Sequence, residues 1–396
     1  MWEPMVPARR ALAGAVLLDF AVGPLFLWDA FSRALSVELN VAGPQLSAAY
    51  AVGLGSFTAG VLVGGRVADA VAPRRIALVV GAGVVLGLVT AGLAESPAVL
   101  VLGFGVMLGG ATGLGYATAV RVAGTAATKR GSAVAVVVSA YAAGAVVLAP
   151  VVGALLDAVG RTGMFTVLAV LLGGLTACAS VLLPGAAQSS RSAPPRTRGA
   201  ADAPDAPRTP ALRRYRRSIL ASWVMFLLGS APALVAFGHA GGFAGAPELA
   251  VAAVVLLNAG NFAGRLAAGP IADRIGHVPA LHATAAVLVG ACVTLALVEE
   301  PGGALAALLA LGAQYGAVSV LTPMAVADTV PADRFGAAYG MVFSGWGVVG
   351  LAGPVGAAWL AAGTGYPAVA AVLAGVAALF WGAVAWVSAT RRAPAR

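Results

Sequence analysis

Charge is what this sequence has least of. Only 10% of its 396 residues are Asp, Glu, Lys or Arg, and a single lysine, Lys129, is among them. With 60% hydrophobic residues and a mean hydropathy of +0.93, so few charges exclude a dispersed soluble protein and place the chain in a bilayer. The short alternating segments of a β-barrel are missing as well. Cysteine is scarce: Cys178 and Cys292 both fall inside apolar runs, which excludes a disulfide framework and offers no metal site. The three histidines, His239, His277 and His282, supply no His-Glu or Ser-His set at zinc or nucleophile spacing, so the sequence does not read as an enzyme and no cofactor is called for. A net charge of +9 would point to nucleic acid in a soluble chain, but here the basic residues sit in loops and topology accounts for them. Arg9 and Arg10 lead straight into a long span holding Asp19 and Asp29, so no cleavable signal is expected.

What the chain does have is apolar runs of about 20 residues, each long enough to cross a hydrocarbon core of about 30 Å. They predict twelve helices, near 11–35, 45–69, 75–94, 97–122, 131–157, 161–183, 217–240, 246–273, 278–298, 302–327, 335–362 and 366–389. With the amino terminus inside, one set of loops holds Arg74, Arg75, Lys129, Arg130, Arg274 and Arg334, and the tail adds Arg391 and Arg392. The opposite loops hold Glu38, Glu95, Asp157, Glu248, Glu299 and Glu300, with Arg161 as the basic exception. That bias predicts cytoplasmic termini. Residues 184–216, rich in Pro, Ala, Ser and Arg and ending in "RRYRR" (213–217), read as a disordered cytoplasmic linker. Its basic end either rests on anionic lipid or only sets topology. The predicted domains are therefore a six-helix bundle over 1–183, the linker, and a second six-helix bundle over 217–396. "GRVAD" (65–69) recurs as "GPIAD" (269–273) and "APVVGA" (149–154) as "GPVGAA" (353–358), so the halves are pseudo-symmetric repeats, a plan that places a substrate near mid-membrane between them.

These residues resemble the major facilitator superfamily. "GPIADRIG" (269–276) looks like its signature after the eighth helix, and "GRVADAVAPRR" (65–75) is a looser copy after the second, with Ala72-Pro73 where glycine is usual. The resemblance implies an all-α transporter working as a monomer, with Asp69, Asp273, Arg274, Gly65, Gly269 and Gly276 as gating structure rather than substrate ligands. A narrower resemblance is to the oxalate/formate antiporter and monocarboxylate transporter branch. It is carried by "GPLFLWDAF" (23–31), by the run 113–150 through its Lys-Arg-Gly loop, and by "FGAAYGMVFSGWGVVGLAGP" (335–354).

Within "NAGNFAGRLAAGPIADRIGHVP" (258–279), Arg265 lies eight residues before Asp273, about 12 Å into the membrane at 1.5 Å per residue. Insertion scales place such an arginine at about 2.5–3.5 kcal/mol at a helix centre, so it should face a wet cavity or a partner. A planar guanidinium fork matches a carboxylate bidentately and stays charged. The branch resemblance implies that role for Arg265; the alternative is a structural arginine pinned by a helix end or by Asp19. Asn261 lies one turn earlier on the same face and is a candidate donor to the same anion. The resemblance adds Tyr116 as a substrate contact, with Tyr315 and Tyr141 as weaker candidates of the same kind and Trp28 and Phe26 as cavity lining or wall. Oxalate exchangers pair their arginine with a lysine in the eleventh helix; that position here is Trp346, which leaves a second carboxylate unpaired and favours a monocarboxylate of lactate, pyruvate or short fatty-acid type.

Inward movement of an anion needs a driving ion. Asp19, about 13 Å past Arg10, is the best-placed acid to carry a proton; Asp29 is the second candidate for that role, although with Arg33 at i, i+4 it reads more readily as a surface pair. Partners implied are thus a small organic anion, a proton and the lipid of a bacterial inner membrane. Rival readings are oxalate/formate exchange and drug/proton antiport, although "GAVVLAP" (144–150) matches the antiporter glycine motif only in part.

Overall fold

The structure, a computed structural model, describes residues 5–126, 130–185, 210–330 and 335–392, and all of its regular elements are helical. The first span is α1 (Met5–Ala21), a tight 3-10 turn (Gly23–Leu27) and α2 (Trp28–Glu38). Then come α3 (Gly43–Ala70), α4 (Pro73–Gly92), and α5 (Pro97–Leu100), which passes through a π-helical stretch (Val101–Leu108) into α6 (Gly109–Ala126). α7 (Arg130–Leu182) closes the segment before the linker. The remainder is α8 (Pro210–Phe243), α9 (Ala250–Ile275), α10 (His277–Leu297), α11 (Pro301–Ala327), α12 (Phe335–Thr364) and α13 (Tyr366–Arg392).

Among the described residues, eleven helices are long and apolar enough to cross a membrane. One of them, Ala133–Leu182, has 50 residues, about 75 Å of α-helix and more than two core thicknesses. It breaks at Gly160, whose φ of 67° and ψ of −176° suit glycine alone, so the runs 131–157 and 161–183 meet there end to end. Arg161, the basic exception among the opposite loops, follows directly. It pairs with Glu38 at 2.7 Å and donates to the Ala94 carbonyl, tying the break to the ends of α2 and α4.

Small residues set the helix spacing. α9 and α11 meet backbone to backbone: a Cβ on Gly264 would lie 2.0 Å from the Ala313 carbonyl oxygen, and one on Gly316 would lie 2.1 Å from that of Asn261. α3 and α6 use the same device, with a Cβ on Gly113 falling 2.0 Å from the Phe57 carbonyl oxygen. Without a hydrophobic drive between helices in lipid, this close approach supplies the packing. The two parts of the chain touch where α3 crosses α12, Thr58 against Gly347 and Leu54 against Gly350, and where α7 meets α9.

One expectation needs correction. Residues 210–216 do not belong to the linker: α8 starts at Pro210 and carries Tyr215 and its arginines as helix, since Ala, Leu and Arg favour helix and proline suits a first turn. Residues 186–209 of that linker lie outside the described residues. The looser first signature is also explained. Ala72, which caps α4, has φ −62° and ψ 138°, so this turn has no need of glycine. Gly276, at the matching turn between α9 and α10, has φ 90° and ψ 153° and does need it.

Candidate functional site

Arg265 projects from α9 into the interior, with 4% of its surface exposed. Gly260 and Gly264 before it on α9, with Gly312 and Gly316 on α11, bring the two helices backbone to backbone, and the Arg265 side chain reaches toward α7. Its Nε donates to Asn261 Oδ1 at 2.9 Å and its Nη1 to the Val138 carbonyl oxygen at 2.7 Å. Its Cζ lies 5.9 Å from the centroid of the Tyr315 ring, within cation–π range. Asp19, fully buried on α1, acts on the guanidinium through space without closing an ion pair. Neither oxygen of Asp19 has a hydrogen-bond partner of normal geometry, although the Tyr141 amide is near. Arg265 is therefore neither turned to lipid nor locked onto an aspartate.

Beside it is a cavity of about 20 Å³, room for a water molecule or so. From the first part of the chain it is lined by Phe26, Phe57, Tyr116 and Tyr141. From the second part it is lined by Phe226, Arg265, Tyr315 and Ser319, and by Tyr339, Phe343 and Trp346 of α12. Trp346 Nε1 donates to the Tyr315 hydroxyl at 2.8 Å, which leaves that hydroxyl's own proton for another acceptor. Phe237, stacked on Phe26 at 3.9 Å, is buried, as are Tyr50 and Trp28, whereas Tyr116, Ser319 and Tyr339 of the lining are half-buried.

The structure thus brings together Arg265, Tyr116, Tyr141, Tyr315, Phe26 and Trp346 of the expected residues. Asn261 does not line the cavity; it lies one turn below Arg265, spends its oxygen on the guanidinium, and leaves its own amide nitrogen buried without a partner. Trp28 is also away from the cavity, between Tyr50 and Phe104 at ring distances of 5.9 and 4.7 Å. The 3-10 turn before it has about three residues per turn, and it aims Phe26 rather than Trp28 inward. Phe57, Phe226, Tyr339, Phe343 and Ser319 escaped the sequence reading. Part of the signal was present: Tyr339, Phe343 and Trp346 follow i, i+4, i+7 spacing, one face of a helix.

Asp29 does not form the expected surface pair with Arg33. The α8 helix breaks at His239, with φ −144° and ψ 25°, and so frees the amide of Gly241, which donates to Asp29 Oδ2; Ser32 donates to Oδ1 at 3.1 Å. His239 itself bonds through Nε2 to the Pro354 carbonyl at 2.9 Å and faces the Tyr366 hydroxyl with Nδ1 at 3.2 Å. This cluster ties α2 to α8, α12 and α13.

Of the gating residues, Asp273 and Arg274 are exposed at the end of α9. A Cβ on Gly65 or Gly269 would meet nothing within 4 Å, so neither glycine is required sterically here. The Asp69 side chain lies outside the described residues.

A polytopic helical bundle with a cation-bearing cavity lined from both parts of the chain fits a membrane carrier, and the family comparison agrees. The chain is 37% identical over 108 residues to the agnestins efflux protein AgnL12 of Paecilomyces divaricatus, a match covering 27% of this chain and 24% of that protein. The chain thus spans about a quarter of the length of this curated relative. The family description "Major Facilitator Superfamily" matches residues 11–320, most of the bundle including Arg265 and the signature at 269–276, and the chain belongs to that superfamily of transporters.

Proposed function

We propose that this transporter carries a small monocarboxylate by alternating access, with its carboxylate held by Arg265 and its movement coupled to a proton. The observation that carries the reading is the guanidinium: two of its nitrogens are fixed by protein acceptors, and it borders a cavity whose lining includes no carboxylate. A buried cation without an ion pair has lost its hydration and gains by meeting an anion. Tyr116 and Tyr315 stand beside it as hydroxyl donors to the same head group. With Trp346 where a second cation would be needed, a dianion is disfavoured.

In this reading the chain has twelve spans, α7 counting as two about Gly160, in two six-helix halves joined by the linker. The glycine-packed pairs α3–α6 and α9–α11 are equivalent elements of the repeat. Sidedness follows the basic loops, which puts both termini in the cytoplasm of a bacterial inner membrane and the half-buried Tyr116–Ser319–Tyr339 side toward the cytoplasm. The protein acts as a monomer. Asp19 is the proton carrier: it is buried beside Arg265 with no hydrogen bond of normal geometry at either oxygen, so its charge responds to whether an anion occupies the site. Export rather than uptake is the second reading, favoured by the efflux role in the name of the relative.

The test is labelled uptake into proteoliposomes with and without a pH gradient, comparing lactate, pyruvate, acetate and oxalate, in the parent chain and in Arg265→Gln. Saturable monocarboxylate flux that Arg265→Gln abolishes supports the proposal. Flux untouched by the substitution, or oxalate favoured over the monocarboxylates, overturns it. Vesicles of both orientations decide between uptake and export.

A further inference from the structure

The walls of the cavity say what the remainder of the substrate is. Aromatic residues are 7% of the chain but nine of the eleven that line the cavity, and the other two are Arg265 and Ser319. No aliphatic side chain lines it, in a protein whose helices are otherwise built from Ala, Val, Leu and Gly. An apolar tail in general would be served by Leu or Val; a lining made of rings offers faces and edges.

The rings meet across the cavity. Phe57 of α3 lies 5.3 Å from Trp346 of α12 at 46°, 5.6 Å from Tyr116 at 52° and 5.9 Å from Tyr141 at 71°. Trp346 stacks on Phe343 at 5.5 Å and 21°, and Phe343 continues to Phe226 at 5.9 Å. With about 20 Å³ free, these rings fill the site themselves, and any organic acid must part them. Aromatic pairs in edge-to-face or offset geometry contribute beyond the area they bury. A guest with its own ring restores those pairs as it enters. A guest of lactate size separates the rings, returns no such contacts and sets its hydroxyl against ring faces.

We infer that the acid carried at Arg265 bears an aromatic ring, an aryl or arylalkyl monocarboxylate whose carboxylate meets the guanidinium and whose ring sits among Phe57, Phe343 and Trp346. This rests on the reading of Arg265 as the carboxylate anchor and goes beyond it by naming what fills the rest of the site.

Binding to the purified full-length chain, followed by tryptophan fluorescence and calorimetry, tests it with five probes: benzoate, phenylacetate, cyclohexylacetate, lactate and phenylacetamide. Benzoate or phenylacetate should bind at least about tenfold more tightly than both cyclohexylacetate, of equal size without a π system, and lactate. Phenylacetamide should not bind measurably, and Arg265→Gln should remove the binding of the acids. Phe57→Leu should lower affinity for phenylacetate several-fold while leaving that for cyclohexylacetate nearly unchanged; Phe343→Leu serves where Phe57→Leu does not fold. Equal binding of phenylacetate and cyclohexylacetate, or lactate binding as tightly as either, overturns the aryl inference and leaves the carboxylate reading standing. Phenylacetamide binding as tightly as phenylacetate, with Arg265→Gln silent, overturns the carboxylate reading. Binding of none of the acids overturns both.

Discussion

The Arg265 guanidinium donates to the Val138 carbonyl oxygen at 2.7 Å, across 127 residues of chain, while its Nε is held by Asn261 at 2.9 Å. Two fixed nitrogens orient the plane of the fork, so its charge and its direction are both set by the protein. Lysine keeps the charge but has no planar fork and cannot keep both bonds from one point. Losing one charge-assisted hydrogen bond costs about 1.5–3 kcal/mol, so Arg265→Lys should weaken substrate affinity by about tenfold or more. The concentration dependence of uptake measures this, and unchanged affinity would mean that only the charge matters.

A second cross-chain contact joins Asp29 to the Gly241 amide, which the helix break at His239 leaves free. Asp29→Asn retains an oxygen that can accept from that amide; Asp29→Ala does not, and strands a buried donor at about 1–3 kcal/mol. Thermal unfolding in detergent should therefore show little change for the first substitution and a clear loss for the second. If Asp29→Asn, with stability intact, also removes the response of uptake to a pH gradient, the coupling role belongs to Asp29 rather than Asp19.

How much of this was legible in the sequence depends on which physical signal each feature leaves. The spans were, because burial of backbone in lipid demands long apolar helices. The burial of Arg265 against protein partners was, because a guanidinium among small apolar residues is expensive unless something receives its hydrogen bonds. The aromatic walls were not: hydropathy scores Trp346 and Trp359 alike, yet the first is 2% exposed and lines the cavity while the second is 67% exposed on the bundle surface. The His239 break also left no mark, since nothing nearby in sequence announces that Pro354 and Tyr366 hold its ring. Composition misled at 210–216, where arginines read as linker continue a helix.

The glycines of α9 make a paired prediction. A Cβ on Gly264 would press to 2.0 Å on the Ala313 carbonyl oxygen, whereas one on Gly269 meets nothing within 4 Å. Gly264→Ala should destabilise the fold by about 1–3 kcal/mol through overpacking, and it should displace Arg265, the next residue. Gly269→Ala should be neutral or stabilising by up to about 1 kcal/mol, as alanine favours helix. Thermal unfolding separates the two. Gly269→Ala with full stability and reduced transport would show that the signature glycine serves a different conformation of the carrier.

Asp19 offers an unusually clean substitution, because its oxygens make no hydrogen bond of normal geometry that an amide would break. Asp19→Asn preserves shape and removes the exchangeable proton. Uptake driven by a pH gradient should fall to the background while exchange of internal for external substrate continues. Loss of both activities together, with a lowered unfolding temperature, would assign Asp19 to folding instead.

If Arg265 anchors a carboxylate, Trp346 sets how many carboxylates the site accepts. Its indole donates to the Tyr315 hydroxyl at 2.8 Å and stacks on Phe343, so it fills the place where a second cation would stand. Trp346→Lys exchanges a ring wall for an ammonium opposite Arg265 and releases the Tyr315 hydroxyl. A dianion then has a partner for each end, whereas an aryl acid loses a stacking surface and meets an uncompensated charge. Competition assays in proteoliposomes should show oxalate rising from negligible to effective inhibitor while phenylacetate weakens by about tenfold, a change of about 1.4 kcal/mol that one lost aromatic contact can supply. Because the substitution opens the cavity as well as charging it, Trp346→Leu is the matched control. It should weaken phenylacetate without admitting oxalate, and oxalate binding to Trp346→Leu would mean that space rather than charge had excluded the dianion.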